Sequence, residues 1–300
     1  MFHLFRLPRR RVRYVPLAAG GQPRARSRRR LGWLRAAALA ALLPLSAAVG
    51  NLLPDTSLPF AAAEPQMVQI APANPGPQQL PLDEPLRMIA EARRVYAGVQ
   101  DYQCILISQE RLKGTLLPEQ VMQMSFRQAP FGVYMKWLAP KDKAGQELAF
   151  VAGKNMNKMR VLPAGLGRPF GWQSIDVDDK RVKENSRHQI TETGFGNMIE
   201  RCAKGWEAER PLNKTQVKIA EYEYNKRRCT RVELTRVARD PIIPCYRTVV
   251  YFDKETHLPM RTELYDWPRQ GGPPEGDLIE CFSYIDIHFN VGLPDAMFNK

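Results

Sequence analysis

Histidine and cysteine are scarce, four and five in 300 residues, and none of the short patterns that assemble such residues for chemistry is present. There is no G-x-S-x-G elbow, no H-E-x-x-H helix and no C-x-x-C pair. Gly153-Lys154 lacks a glycine five positions earlier and has Asn155 where a phosphate loop has Ser or Thr. Asp176-Val177-Asp178-Asp179-Lys180 lacks the further ligands and the glycine of a calcium loop. His3, His188, His257 and His288 are scattered, and the proximity of His188 to Ser186 is local, whereas triad members are usually distant in sequence. The expectation is a protein without catalytic residues, metal or cofactor. A hydrolase or thiol enzyme would require Cys, His and acid to gather around one pocket.

Acid is missing from one end. No Asp or Glu precedes Asp55, while residues 1–35 hold eleven arginines. Removing that +11 from the net +13 leaves +2 for the remainder, so the positive charge does not sit on a folded surface and nucleic-acid binding is not expected. The 44% hydrophobic and 25% charged content excludes a wholly disordered, collagenous or polytopic membrane chain.

Ala36 to Leu53 is uncharged and alanine-rich, and Ala61-Ala62-Ala63 precedes Glu64-Pro65. Basic start, apolar middle and small-residue exit form an export signal, cut after Ala63 or after Ala48-Val49-Gly50. The alternative is a retained anchor, residues 36–53 tethering the protein to the inner membrane. Ser27-Arg28-Arg29-Arg30-Leu31 partly matches a twin-arginine signal, although Gly32 stands where an apolar residue is wanted. The chain divides into a basic leader at 1–63, a Pro/Gln-rich linker at 64–80 and one domain at 81–300. The protein is expected in the periplasm or cell envelope.

The domain opens with a helix. Asp83 can cap it, Pro85 suits the first turn, and Met88, Ile89, Ala92, Val95, Tyr96 and Val99 share a face. The period then becomes two, with strands over 121–127, 131–137 and 146–152. A poorly patterned stretch near 173–190 precedes a second helix, in which Phe195, Met198, Ile199, Cys202 and Trp206 align and Thr193 can cap. Strands resume near 215–224, 228–237, 246–253, 258–266 and 278–289. In the last, Ile279, Cys281, Ile285, Ile287 and Phe289 are assigned to one apolar face, and His288 to the polar one. So many one-faced antiparallel strands with two helices imply an α+β fold, a curved antiparallel β-sheet with helices packed on its concave face.

Met122, Met124, Phe126, Met135, Trp137, Phe150, Met260 and Leu264 are the candidate lining of an apolar cleft, because the sheet offers more concave surface than two helices fill. Cys104, Cys202, Cys229, Cys245 and Cys281 all follow the leader, and an odd count leaves at least one unpaired. Cys202 and Cys281 read as small buried apolar residues, with room for one structural disulfide.

Several motifs carry a resemblance: Asp101-Tyr102, Pro130-Phe131, Val133-Tyr134-Met135-Lys136-Trp137, Gly145-Gln146-Glu147, Tyr251-Phe252-Asp253, Leu258-Pro259-Met260-Arg261, Tyr265-Asp266-Trp267-Pro268, Ile279-Glu280, Tyr284, Asn290-Val291-Gly292-Leu293-Pro294-Asp295 and Phe298. With these the chain, over about 95 to 298, resembles a family of exported bacterial proteins of unknown function. It also resembles the wider LolA/LolB-like superfamily of outer-membrane lipoprotein localisation factors. That resemblance implies a half-barrel sheet holding an acyl chain beneath helices, although the carrier's cavity arginine has no matching position here. Two functions follow as expectations: a non-enzymatic envelope protein binding an acyl chain, lipid or lipoprotein, or a packed scaffold or sensor that docks an envelope protein.

Overall fold

A computed structural model describes residues 80–300. The expected leader at 1–63, with its anchor alternative at 36–53, and all but the last residue of the linker at 64–80 lie outside the described residues. Among the described residues no helix is long and apolar enough to cross a membrane.

Three helices and twelve strands follow in the order α1 (Asp83–Tyr96), β1 (Asp101–Leu112), β2 (Thr115–Leu116), β3 (Gln120–Arg127), β4 (Gly132–Ala139), β5 (Glu147–Val151), β6 (Lys158–Leu162), β7 (Gln173–Asp176), α2 (Lys180–Lys183), α3 (Phe195–Glu209), β8 (Thr215–Tyr224), β9 (Arg227–Arg236), β10 (Arg247–Asp253), β11 (Pro259–Tyr265) and β12 (Leu278–Phe289). All ladders are antiparallel, in the order β7-β6-β5-β4-β3-β1-β12-β11-β10-β9-β8, with β2 paired to β1. β7 and β8 are the two edges, so the curved sheet stays open. The expected strands from β3 to β5 and from β8 to β12 are present. β1, β2, β6 and β7 were not foreseen.

Both long helices are capped differently from the sequence expectation. Leu82 occupies the cap of α1, and the Asp83 carboxylate reaches back to accept the Leu80 N–H at 2.9 Å while pairing with Arg210. At α3 the cap is Gly194 rather than Thr193. Its φ of 104° favours glycine, and a Cβ there would lie 2.6 Å from the Phe126 ring and 3.0 Å from the Tyr102 hydroxyl. The sheet therefore approaches α3 so closely at this point that no side chain fits.

A bulge in β12 overturns the single apolar face assigned to it. Asp286 adopts φ 51° and the register with β1 shifts between Gln103 and Ile105. An inserted residue reverses the alternation of faces. Before the bulge Glu280, Phe282 and Tyr284 lie on the concave face, and after it Ile287 and Phe289 do; Phe282, Tyr284, Ile287 and Phe289 all join the main core. Ile279, Cys281 and Ile285 consequently lie on the other face.

The core is asymmetric. Phe195 of α3 packs edge-on against Tyr102 of β1 and beside Tyr284 of β12, with ring centroids at 5.1 and 4.4 Å, and its N–H donates to the Tyr102 hydroxyl. Tyr102 stacks in turn on Phe126 of β3 at 4.9 Å. From there α3 runs toward β9, where Glu209 forms a doubly hydrogen-bonded pair with Arg236 at 2.7 and 2.8 Å. Both residues are buried, and Thr215 and Thr248 complete the network. α1 lies against α3 through Tyr96 over Gly196 and Arg93 to Glu200. The helices thus cover the central and C-terminal strands, and β4 to β7 reach beyond them.

On the convex face of β8–β12 a second layer forms, with Arg247 over Tyr265 at 4.0 Å, Arg261 over Tyr224 at 5.3 Å and Arg231 over Tyr251 at 5.8 Å. Asp101 is structural, since its carboxylate accepts the N–H groups of Val291, Gly292 and Leu293 and so fixes the C-terminal segment to the start of β1.

The buried Glu209–Arg236 pair yields a test. Arg236→Met leaves a buried carboxylate unmatched and is expected to cost about 3–5 kcal/mol, read by urea unfolding. Glu209→Leu combined with Arg236→Met is expected to recover much of that loss.

Candidate functional site

Beyond the helices the concave face is roofed by residues 177–193, which connect β7 to α3 and include α2. Between this strap and the sheet lies a cavity of about 280 Å³. Leu106, Ser108 and Glu110 of β1, Met122 and Gln120 of β3, and Met135 and Trp137 of β4 form its floor. Leu148 of β5, Met159 and Val161 of β6 and Ile175 of β7 continue it, and Phe282 of β12 closes one side. The strap contributes Arg181, Val182, Asn185, Ser186, His188, Gln189 and Ile190. Arg181 and Asn185 are its solvent-exposed members, which puts the mouth at α2.

Of the eight residues expected to line a cleft, Met122, Met135 and Trp137 do so. Met124, Phe126, Phe150 and Met260 share the same concave face but are consumed in the core beside the cavity. Leu264 is half-buried on β11, paired with Thr248 and Glu280, away from the lining. Sequence reasoning missed the floor from β1, β6 and β7 and the whole strap. Only β1 carried a usable signal, the alternation of Tyr102, Cys104, Leu106, Ser108 and Glu110 toward the core.

Two buried carboxylates hold the strap down. Glu110 of β1 and Glu280 of β12 are register partners on the concave face. The Arg187 N–H donates to Glu110 at 2.8 Å and the Ser186 hydroxyl to the same oxygen at 3.3 Å. Arg187 Nε and His188 Nε2 meet Glu280 Oε2 at 3.0 and 2.9 Å, and His188 Nδ1 meets Glu192 at 3.0 Å. Burial pushes the Glu110 carboxyl up, only partly offset by the Arg187 N–H and the His188 charge. Burial also acts against ionised Glu280, yet the His188 hydrogen bond and the charges of His188, Arg187 and Arg201 hold it below the usual carboxylate range. For His188, burial and Arg201 favour the neutral ring, but Glu280 and Glu192 prevail and raise its pKa.

This cluster brings His and acid to one pocket, yet both ring nitrogens face carboxylates. The Ser186 hydroxyl donates to Glu110 and receives the His188 N–H, so it has no ring base to activate it. Glu110, His188 and Glu280 have ligand atoms within 4.8 Å of one another, a donor set of metal-binding type. Here Glu280 is matched by two cations, His188 and the Arg187 guanidinium, and Glu110 by the Arg187 N–H and the Ser186 hydroxyl, and the arrangement is that of a latch.

No disulfide forms among Cys104, Cys202, Cys229, Cys245 and Cys281. Burial pushes the Cys229 thiol up to about 11 and those of Cys202 and Cys281 up to about 12, and raises Cys104 and Cys245 as well. Such thiols are poor nucleophiles at neutral pH.

The fold and site define a curved half-barrel with a roofed apolar cavity. Residues 99–300 match the family described as protein of unknown function (DUF1571), and the chain belongs to it. No curated protein matches the sequence. Solved structures similar to it include a putative outer membrane lipoprotein-sorting protein domain from Vibrio parahaemolyticus (14% identity, TM-score 0.33, 71% of this chain and 95% of that one). Others are the lipoprotein LppX of Mycobacterium tuberculosis (11%, 0.40, 71% and 98%) and a LolA superfamily protein from Nitrosomonas europaea (10%, 0.29, 74% and 99%).

The latch titrates in a definite direction. Raised His188 contributes stability below its unfolded pKa and loses it as pH rises through the higher folded value; lowered Glu280 loses its contribution only as pH falls through its depressed value. Protection of the amides across 184–193, their exchange rate relative to the intrinsic rate at each pH, is therefore expected to be greatest between the two and to fall as pH rises through the folded value of His188. His188→Gln is expected to remove the alkaline limb.

Proposed function

We propose that the protein is a non-enzymatic envelope protein that binds an apolar ligand, an acyl chain of a lipid or lipoprotein, in the cavity under the strap. The observation that carries this reading is the cavity itself. Its floor is made of Leu106, Met122, Met135, Leu148, Met159, Val161 and Ile175, and the thioethers suit chains of varied shape. At about 30 Å³ per water-sized group, 280 Å³ holds about nine such groups. Nine buried methylenes contribute about 7 kcal/mol before the cost of association. The basic leader supports an envelope location. A packed scaffold docking an envelope protein calls for a filled interior, and the cavity favours the ligand reading over it.

Native mass spectrometry with lipid extraction, on protein purified from an exporting host, tests this directly. An acyl compound is expected to co-purify. Ile175→Trp, which fills the cavity from the edge strand β7, is expected to abolish it while leaving the circular dichroism spectrum unchanged. A clean apo mass together with no uptake of added fluorescent fatty acid by the wild type would refute the reading.

A further inference from the structure

The cavity's charges differ in how they are matched. Arg181 is held by Asp179 at 2.8 and 2.9 Å, and His188 lies between Glu192 and Glu280. Lys143 is the third basic group of the lining. It sits in the β4–β5 connection, half-buried, and among the described residues its Nζ contacts only the neutral amide oxygens of Gln120 and Asn185, both at 3.3 Å. The Gln120 oxygen is already shared, since Trp137 Nε1 donates to it at 2.7 Å. Asp142 and Glu110 act on Lys143 through space, neither within ion-pair distance, and burial lowers its pKa. An ammonium thus stands at the mouth, partly desolvated and, among the described residues, without a carboxylate in contact.

Resting on the ligand reading above, we propose that Lys143 selects the ligand by its head: the cavity takes a single-chain fatty acid, with its carboxylate on the Lys143 ammonium and its chain directed inward along Trp137, Met135 and Met159. Three features fix this choice. The volume fits one short chain and not two. The floor of Leu106, Met122, Met135, Leu148 and Met159 offers an anionic head no hydrogen-bond donor, so the head stays at Lys143 and the chain takes the floor. Asn185, from the strap, and Gln120, from the sheet, flank the ammonium, and their amide NH₂ groups add donors for the second carboxylate oxygen.

The test uses the full chain loaded with a neutral solvatochromic dye, displaced at neutral pH by decanoic acid or by 1-decanol. The ratio of the two affinities is the readout, and decanol reports whether each variant retains the cavity. Lys143→Met is expected to lower the acid-to-alcohol ratio about tenfold, the size of a charge-assisted hydrogen bond at a partly solvated site, with decanol affinity unchanged. Lys143→Arg is expected to preserve the ratio. A ratio unaffected by Lys143→Met overturns the Lys143 assignment and leaves the cavity reading intact. Failure of both compounds to displace dye from the wild type overturns the two together.

Discussion

Two carboxylates pointing into the concave face of a β-sheet are costly to bury unless matched, and Glu110 and Glu280 stand side by side on the central pair of strands. Arg187, His188 and Ser186 meet them with one cation, one imidazole held toward its charged form, one hydroxyl and one backbone N–H. That requirement brings residues 177–193 across the sheet, and the strap in turn roofs the part of the concave face the helices do not reach. Remove the carboxylates and the connection between β7 and α3 has little reason to lie where it does.

The cavity follows from geometry as much as from charge. α3 is fixed at one end by Phe195 against Tyr102 and Tyr284, and at the other by Glu209 on Arg236. Both anchors hold it over β1, β12 and the strands beyond, so β4 to β7 keep an apolar surface with no helix above it. A strap of one short helix and irregular backbone cannot fill that space with side chains as an amphipathic helix would. The space left is lined by the thioethers and aliphatic groups of those strands and edged by Lys143, Gln120 and Asn185.

Much of the fold was legible because β3 from Met122 and β11 from Met260 place apolar and polar residues in turn, and β5 and β10 carry the short apolar runs Leu148–Val151 and Val249–Phe252. Both long helices show their apolar face. β1 was hidden because Ile105 and Ile107 occupy the face opposite Leu106, which blurs a period of two, while its inward Ser108 and Glu110 are polar. β12 misled because a bulge at Asp286 exchanges its faces, and a single inserted residue leaves no mark in composition. Of the site, Met122, Met135 and Trp137 were visible as inward residues of regular strands. The latch was not, since residues 110, 188 and 280 meet only through the sheet register and the strap. Ser186 and His188, neighbours in sequence, turn to different carboxylates, a pairing that spacing alone does not reveal.

The most direct test is a crystal structure of the protein grown with a fatty acid carrying bromine at its terminal carbon. The account predicts a single bromine anomalous peak inside the cavity, among Met159, Val161 and Ile175, with the strap in place above it. Bromine found only on the outer surface, with the floor of β4 to β7 closed by its own side chains, would contradict it.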